Sequence, residues 1–158
     1  MQGLQNIYAR NCEVRRIGKT DAAAFLDAHH RLGATGGRYF YGLFVKRTSG
    51  KDELRLPPGT LAGVAVFSNA RRWQKGERVV SSYEWIRYAS LSGTRIVGGM
   101  SRVLLHFIED VRPDDIMTYA DTSWEDAGAV YRMLGFEPEA EVERGGAVNL
   151  KLRLRVSP

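Results

Sequence analysis

The chain has 158 residues, 44% of them hydrophobic and 26% charged, which is the size and balance of one globular domain spanning 1–158 with its own hydrophobic core. No stretch approaches the roughly 20 apolar residues of a membrane helix, and Arg10, Glu13, Arg15 and Arg16 interrupt the place where a signal peptide would need its apolar centre; the expectation is a cytoplasmic protein with no membrane partner. A single cysteine, Cys12, excludes an intrachain disulfide and a cysteine zinc cluster, and three histidines form no metal-binding pattern.

The net charge of +5 is unevenly spread. Residues 1–80 carry ten Arg and four Lys against six acids, whereas 81–158 carry nine bases against twelve acids. Eighteen of the 23 bases are Arg, whose planar fork pairs bidentately with phosphate. The asymmetry implies an anionic partner, either nucleic acid or the phosphates of a cofactor.

In chain order, 12–17 is a short strand, and Thr20 or Asp21 is placed to cap a helix reaching about Leu32, with Ala24, Phe25, Ala28 and Leu32 at helical spacing. Gly33, Gly36 and Gly37 end it. Residues 39–46 and 61–67 are aromatic and branched enough to be strands, and the polar excursion between them, with Pro57, Pro58 and Gly59, makes a long-looped antiparallel hairpin. A basic loop over 71–78 leads to a third strand, Val79 to Tyr88. Met100, Val103, Leu104, Phe107 and Ile108 then form one apolar helical face, closed by Pro113. Ile116 to Ala120 reads as a buried strand and Glu125 to Leu134 as a helix stopped by Gly135. Val148 to Val156 alternates, with Lys151, Arg153 and Arg155 on a polar outer face. The order β, α, β, β, β, α, β, α, β predicts one α/β (α+β) domain with a mixed central sheet flanked by helices.

The junction 95–102 is the strongest physical feature. Gly98 and Gly99 let backbone approach a ligand, and the helix after them starts with unpaired amides and the positive end of its dipole. Such a turn binds pyrophosphate, with Arg95 and Arg102 adding charge-assisted bonds; the alternative is a plain strand-to-helix turn with Ser101 as the N-cap. Among the carboxylates, Glu84 sits among apolar neighbours in a strand and is suited to take a proton from an amine, or else pairs with Arg87 or Arg95. Asp121 ends a buried strand, where α/β folds carry chemistry, or caps the next helix. His30 is a second base, a substrate contact, or a helix-end residue stabilised by the dipole. Arg71, Arg72, Trp73, Lys75 and Arg78 combine phosphate-binding bases with a stacking ring, as nucleic-acid surfaces do, or form a solvated loop. Cys12 reads as inert packing.

Gly99 to Leu105 resembles the acyl-CoA loop of the GNAT superfamily of N-acetyltransferases, a basic residue, two others, Gly, one other, then Gly or Ala before a helix. Ala127-Gly128-Ala129-Val130-Tyr131, running on to Gly135-Phe136, is similar to that superfamily's second hallmark. In one register Gly99 and Ser101 fill the small positions and Ile96 the basic one; in the other Arg95 is kept and Gly98 and Met100 take the small positions. Trp124 stands where an asparagine is common. The resemblance implies a GNAT-like fold, acetyl-CoA or another acyl-CoA as co-substrate held at Arg95, Val97, Gly98, Gly99, Met100, Ser101 and Arg102, direct acyl transfer to an amine-bearing acceptor of anionic character, and Tyr131 as the acid that reprotonates the CoA thiolate. Within the superfamily, His30 to Gly33, Leu61 to Phe67, Glu84 to Arg87, Tyr119 to Asp121 and Gly128 to Phe136 resemble the phage Mom-type DNA modification proteins, which implies modification of the adenine amine in DNA. A non-catalytic nucleic-acid-binding module on the same fold is the third expectation.

Overall fold

The computed structural model describes residues 3–122 and 128–156. In chain order these form β1 (Gln5–Tyr8), β2 (Cys12–Arg16), α1 (Lys19–His29), β3 (Tyr39–Val45), β4 (Leu61–Phe67), β5 (Arg71–Lys75), β6 (Arg78–Ser90), β7 (Thr94–Val97), α2 (Gly99–Val111), β8 (Asp115–Asp121), α3 (Ala129–Met133), β9 (Glu137–Arg144) and β10 (Ala147–Arg155). The main sheet runs β2-β3-β4-β6-β8-β10-β9, with β5 also on β6, and β1 pairs separately and in parallel with β7. The mixed α/β architecture expected from the element order is the one observed.

The branched and aromatic strands lie in the middle of the sheet because both their faces are covered. On one face, Ala22, Phe25 and Leu26 of α1 pack on Phe40, Val64, Val66 and Ala89. On the other, Val103, Leu104 and Phe107 of α2 join Tyr41, Phe67, Trp85, Ile116 and Leu152. There Phe67 stacks on Phe107 at 3.9 Å and on Trp85 at 5.1 Å, aligned aromatic contacts that add to simple area burial. Cys12 is fully buried, as expected of packing, and burial pushes its thiol pKa up.

Several boundaries differ from the sequence pattern. α1 starts after Gly18 with no side-chain cap, not at Thr20 or Asp21, and ends at His29. Its buried face is Ala22, Phe25 and Leu26; Ala24, Ala28 and Leu32 are exposed. The sheet covers only one narrow stripe of this helix, so small alanines carry no periodic signal of which stripe that is. The basic segment 71–78 is no loop: β5 pairs with the start of β6 around a turn at Gly76, where φ is +65°. The last strand, β10, is half-exposed as expected, but it is not at the edge of the sheet: it lies between β8 and β9. Arg153 on it is half-buried and bonded to Asp115 and Glu139. Of the helix expected over Glu125 to Leu134, α3 accounts for Ala129–Met133, and residues 123–127, Trp124 among them, lie outside the described residues.

Candidate active site

Ser82 of β6 pairs with Arg71 on one edge and with Asp115 of β8 on the other. The parallel β6–β8 ladder covers only Ser82 to Glu84 on β6 and Asp115 to Met117 on β8. Beyond it, β6 continues to Ser90 paired to β4 alone, and β8 continues to Asp121 paired to β10 alone. The two strands therefore part, and Thr118 marks the fork by donating its hydroxyl to the Trp85 carbonyl at 2.9 Å. A cavity of about 560 Å³ lies here, lined by Tyr88 and Tyr131 and also by His30 and Arg31. Tyr88 and Tyr131 pack with the α2-side core, whereas His30 and Arg31 follow the end of α1, so the opening passes through the sheet.

Tyr131, on α3, sits at the fork. Its ring meets Trp85 at 5.7 Å and Phe136 at 5.6 Å, both edge to face, and its hydroxyl is hydrogen-bonded to Thr118. Burial raises the Tyr131 pKa, against the opposing effect of that hydrogen bond, so the phenol keeps its proton at neutral pH. Nearby, the Tyr88 hydroxyl is buried without a hydrogen-bond partner among the described residues. It occupies the room left by a missing side chain, since a Cβ on Gly99 would stand 2.3 Å from it.

The turn into α2 departs from the Ser101 cap. The N-cap is Gly98, in the left-handed region at φ 78°, with no side-chain cap and no acidic residue in the first turn. The conformation favours glycine, and it leaves the first amides of α2 to whatever ligand approaches. Gly98, Ser101 and Arg102 line a hollow of about 590 Å³ with Val97, Arg10 and Glu109. Met100 points its side chain to the core, so only its backbone faces the turn. Arg95 is turned aside: its guanidinium bonds Asn6 Oδ1 at 3.1 and 3.3 Å across the β1–β7 pair. Arg10, not singled out from sequence, stands in its place.

On the α1 face, Glu84 and Asp121 both line a second cleft of about 550 Å³. Glu84, with Trp85 and Ile86 beside it in the cleft, makes no ion pair with Arg87 or Arg95; its ion partner is Arg144, at 3.7 Å. Asp121 has Arg31 at 3.7 Å. His30 lines the through-sheet cavity, its Nδ1 accepting from the Leu32 amide at 2.9 Å. Burial lowers its pKa, helped by the charges of Arg87 and Arg31. Its neighbour His29 bonds Ser92 at 2.8 Å and so ties α1 to the turn after β6. Thus Tyr131, Glu84, Asp121 and His30 all surround one fork in the sheet.

The residues 71–78 are elsewhere. They flank the first half of β6, from ~7 Å (Arg71, opposite Ser82) to ~20 Å (Lys75, opposite Arg78) along the strand from Glu84 in the cleft, at the rise of an extended chain. There the Trp73 indole donates to Ser82 at 2.8 Å and Arg78 bonds Asp114 at 2.7 Å. Among the residues that sequence reasoning missed, Thr118 had a faint signal, a hydroxyl in an otherwise apolar strand. Arg31 and Arg144 had none, because an arginine beside a turn looks like any surface charge. Among the described residues no helix is long and apolar enough to cross a membrane, and no cluster of metal-binding side chains exists.

No family model and no curated protein matches the chain. Solved structures do. The chain is similar to Ard1 from Thermoplasma volcanium (TM-score 0.64, 12% identity, covering 94% of this chain and 99% of that one). It is also similar to a GNAT-family protein from Desulfovibrio desulfuricans (0.63, 16%, 92% and 99%). A third similarity is to a chain of the NatC complex bound to Gag peptide and CoA (0.62, 13%, 93% and 99%). At such identities the likeness is one of fold, and the fold of this chain is that of the GNAT acetyltransferases.

Proposed function

We propose that this protein is an N-acyltransferase that takes an acyl group, acetyl in the simplest case, from acyl-CoA and passes it directly to an amine. The observation that carries the reading is the fork between β6 and β8, with the protonated, partly buried Tyr131 at its apex. The features suit the CoA thioester. The uncapped start of α2 at Gly98, with Arg10 and Arg102 beside it, matches a pyrophosphate, and the unpaired edges of β6 and β8 match an amide-bearing arm. The same fold in a complex solved with CoA agrees with this. When bound, acyl-CoA supplies the activated carbonyl and a good leaving group.

The chain's own part is chiefly positioning. Gly98, Gly99, Met100 and Ser101 offer backbone amides, and Arg102 offers charge to the phosphates; Val97 and Arg95 hold the strand leading in. Glu84 and Asp121 face the acceptor and take its proton, directly or through water. Tyr131 donates its proton to the departing sulfur, and Thr118 holds the phenol in place. His30, neutral and half-buried, contacts the acceptor. A thermal-shift panel of acetyl-CoA, longer acyl-CoAs and short DNA tests the assignment, since a ligand of the native state raises the midpoint. A shift with CoA thioesters is expected; no shift with any of them rejects the reading.

A DNA substrate, as in Mom-type proteins, or a non-catalytic nucleic-acid module is supported by the exposed Arg71, Arg72, Lys75 and Trp73. Against it stands the distance of that hairpin from the cleft. Binding of DNA that weakens steeply with salt, with no response to acyl-CoA, would replace the first proposal by this one.

A further inference from the structure

We infer that the cleft on the α1 face takes a small amine that also carries an oxyanion, a carboxylate or phosphate, close to its nitrogen; this rests on the acyltransferase reading. The cleft measures about 550 Å³, the scale of a small-molecule site. Three arginines, Arg31, Arg87 and Arg144, line it together with two carboxylates, Glu84 and Asp121. The carboxylates suit an ammonium or amine. The guanidiniums exceed them in number and suit an oxyanion.

The arginines are placed, and not merely present. Arg87 is anchored by two neutral carbonyls, Gly33 at 3.1 Å and Ile86 at 3.2 Å. Its pKa is lowered first by burial and then by the charges of Arg144 and Arg31, against the pull of Glu84. Such crowding of like charges is relieved by an anion. The Arg144 guanidinium carbon lies over the Tyr119 ring, 4.3 Å from its centre. The Arg144–Glu84 pair stands at 3.7 Å, outside hydrogen-bond distance. A zwitterion can thus engage both of its members without breaking a hydrogen bond between them. A plain alkyl amine would engage the carboxylates and leave the guanidiniums crowded. In the transfer, a C–N bond forms as the C–S bond breaks, the amine proton leaves through Glu84 or Asp121, and Tyr131 protonates the sulfur.

The test follows acetyl-CoA-dependent acylation by the full chain across matched pairs: tyrosine and tyramine, lysine and cadaverine, phosphoethanolamine and ethanolamine. The oxyanion-bearing member is expected to show kcat/KM ~10-fold or more above its partner, and the pair in which this happens separates carboxylate from phosphate. Arg144→Gln should bring that ratio close to one. Arg31→Gln, at a second exposed position, is the independent variant. Equal rates within every pair, or a preference for the plain amines, overturns the inference while the acyltransferase reading stands. Calorimetry distinguishes the remaining cases. If no amine is acylated but an oxyanion-bearing member binds and the arginine variants do not bind it, the ligand class stands and the acyltransferase reading falls. Neither acylation nor binding overturns both.

Discussion

The first half of β6 is paired with β5 and β8, the second half with β4 alone, and the two meet opposite fates. Up to Glu84 the strand runs against β5 on one edge and, from Ser82, against β8 on the other, and the charges there are tightly bonded: Arg78 to Asp114 at 2.7 Å, and Arg153 on β10 to Asp115 of β8. From Trp85 on, one edge is open, and the nearest ion pairs stand off at 3.7 Å. Around Asp115 and Arg153 burial makes an unpaired charge costly, and the geometry is tight. Beside the open edge the pairs stand further apart. Charge density alone therefore does not distinguish scaffold from site; the pairing of the backbone beneath it does.

The largest effect should come from breaking the closed half. Asp115 is 5% exposed, and Asp115→Ala leaves Arg153 with Glu139 alone and Ser82 without its acceptor, an expected loss of ~1.5–3 kcal/mol in urea unfolding; a loss below ~1 kcal/mol would erase the contrast. At the open half, Tyr131→Phe should keep the acetyl-CoA thermal shift and lower kcat by ~100-fold or more. Full turnover in that variant would remove the acid role.

Gly99→Ala forces a methyl into the Tyr88 hydroxyl and should cost ~1–3 kcal/mol; adding Tyr88→Phe should restore part of it, and no recovery would mean that the clash with Ile96 dominates. Acid titration gives a gentler probe. The Glu139 pKa is lowered chiefly by its hydrogen bond to Arg153 in the closed half, and the Asp110 pKa by that from Tyr41. A carboxylate lowered in the folded state adds stability above the unfolded pKa of about 4 that is lost as pH falls through the folded value. Stability should drop below about pH 4, and Glu139→Gln should flatten that drop; an unchanged acid limb would deny Glu139 its share. The smallest stability effect should be Glu84→Gln, under ~1 kcal/mol for a loosely paired, partly exposed carboxylate, measured by thermal melting beside Asp115→Ala.

Much of the fold could be read from residues that bury both faces. The runs 39–46 and 61–67 and the helix from Met100 to Ile108 have apolar periods that only a covered strand or helix satisfies. β5, β9 and the β1–β7 pair were missed for the opposite reason. Arg71–Lys75 is exposed throughout and Glu137–Arg144 nearly so, so neither carries an apolar alternation, and Pro138 in a run of glutamates argues against a strand. The Ser101 cap failed because Gly98 supplies the turn by conformation, which no side chain announces.

The sequence by itself determined the core, the glycine turn into α2 and the place of Tyr131 in the chain, because apolar spacing and glycine are local properties. Only the tertiary structure decided that β6 and β8 part after three paired residues, that Arg95 is taken by Asn6, and that Arg31, Arg87 and Arg144 meet Glu84 and Asp121 in one cleft. Those outcomes depend on side chains far apart in the chain whose charges look alike until the sheet, with β8 beside β6 up to Glu84 and gone from Trp85 on, sets which of them bond tightly and which stand further apart.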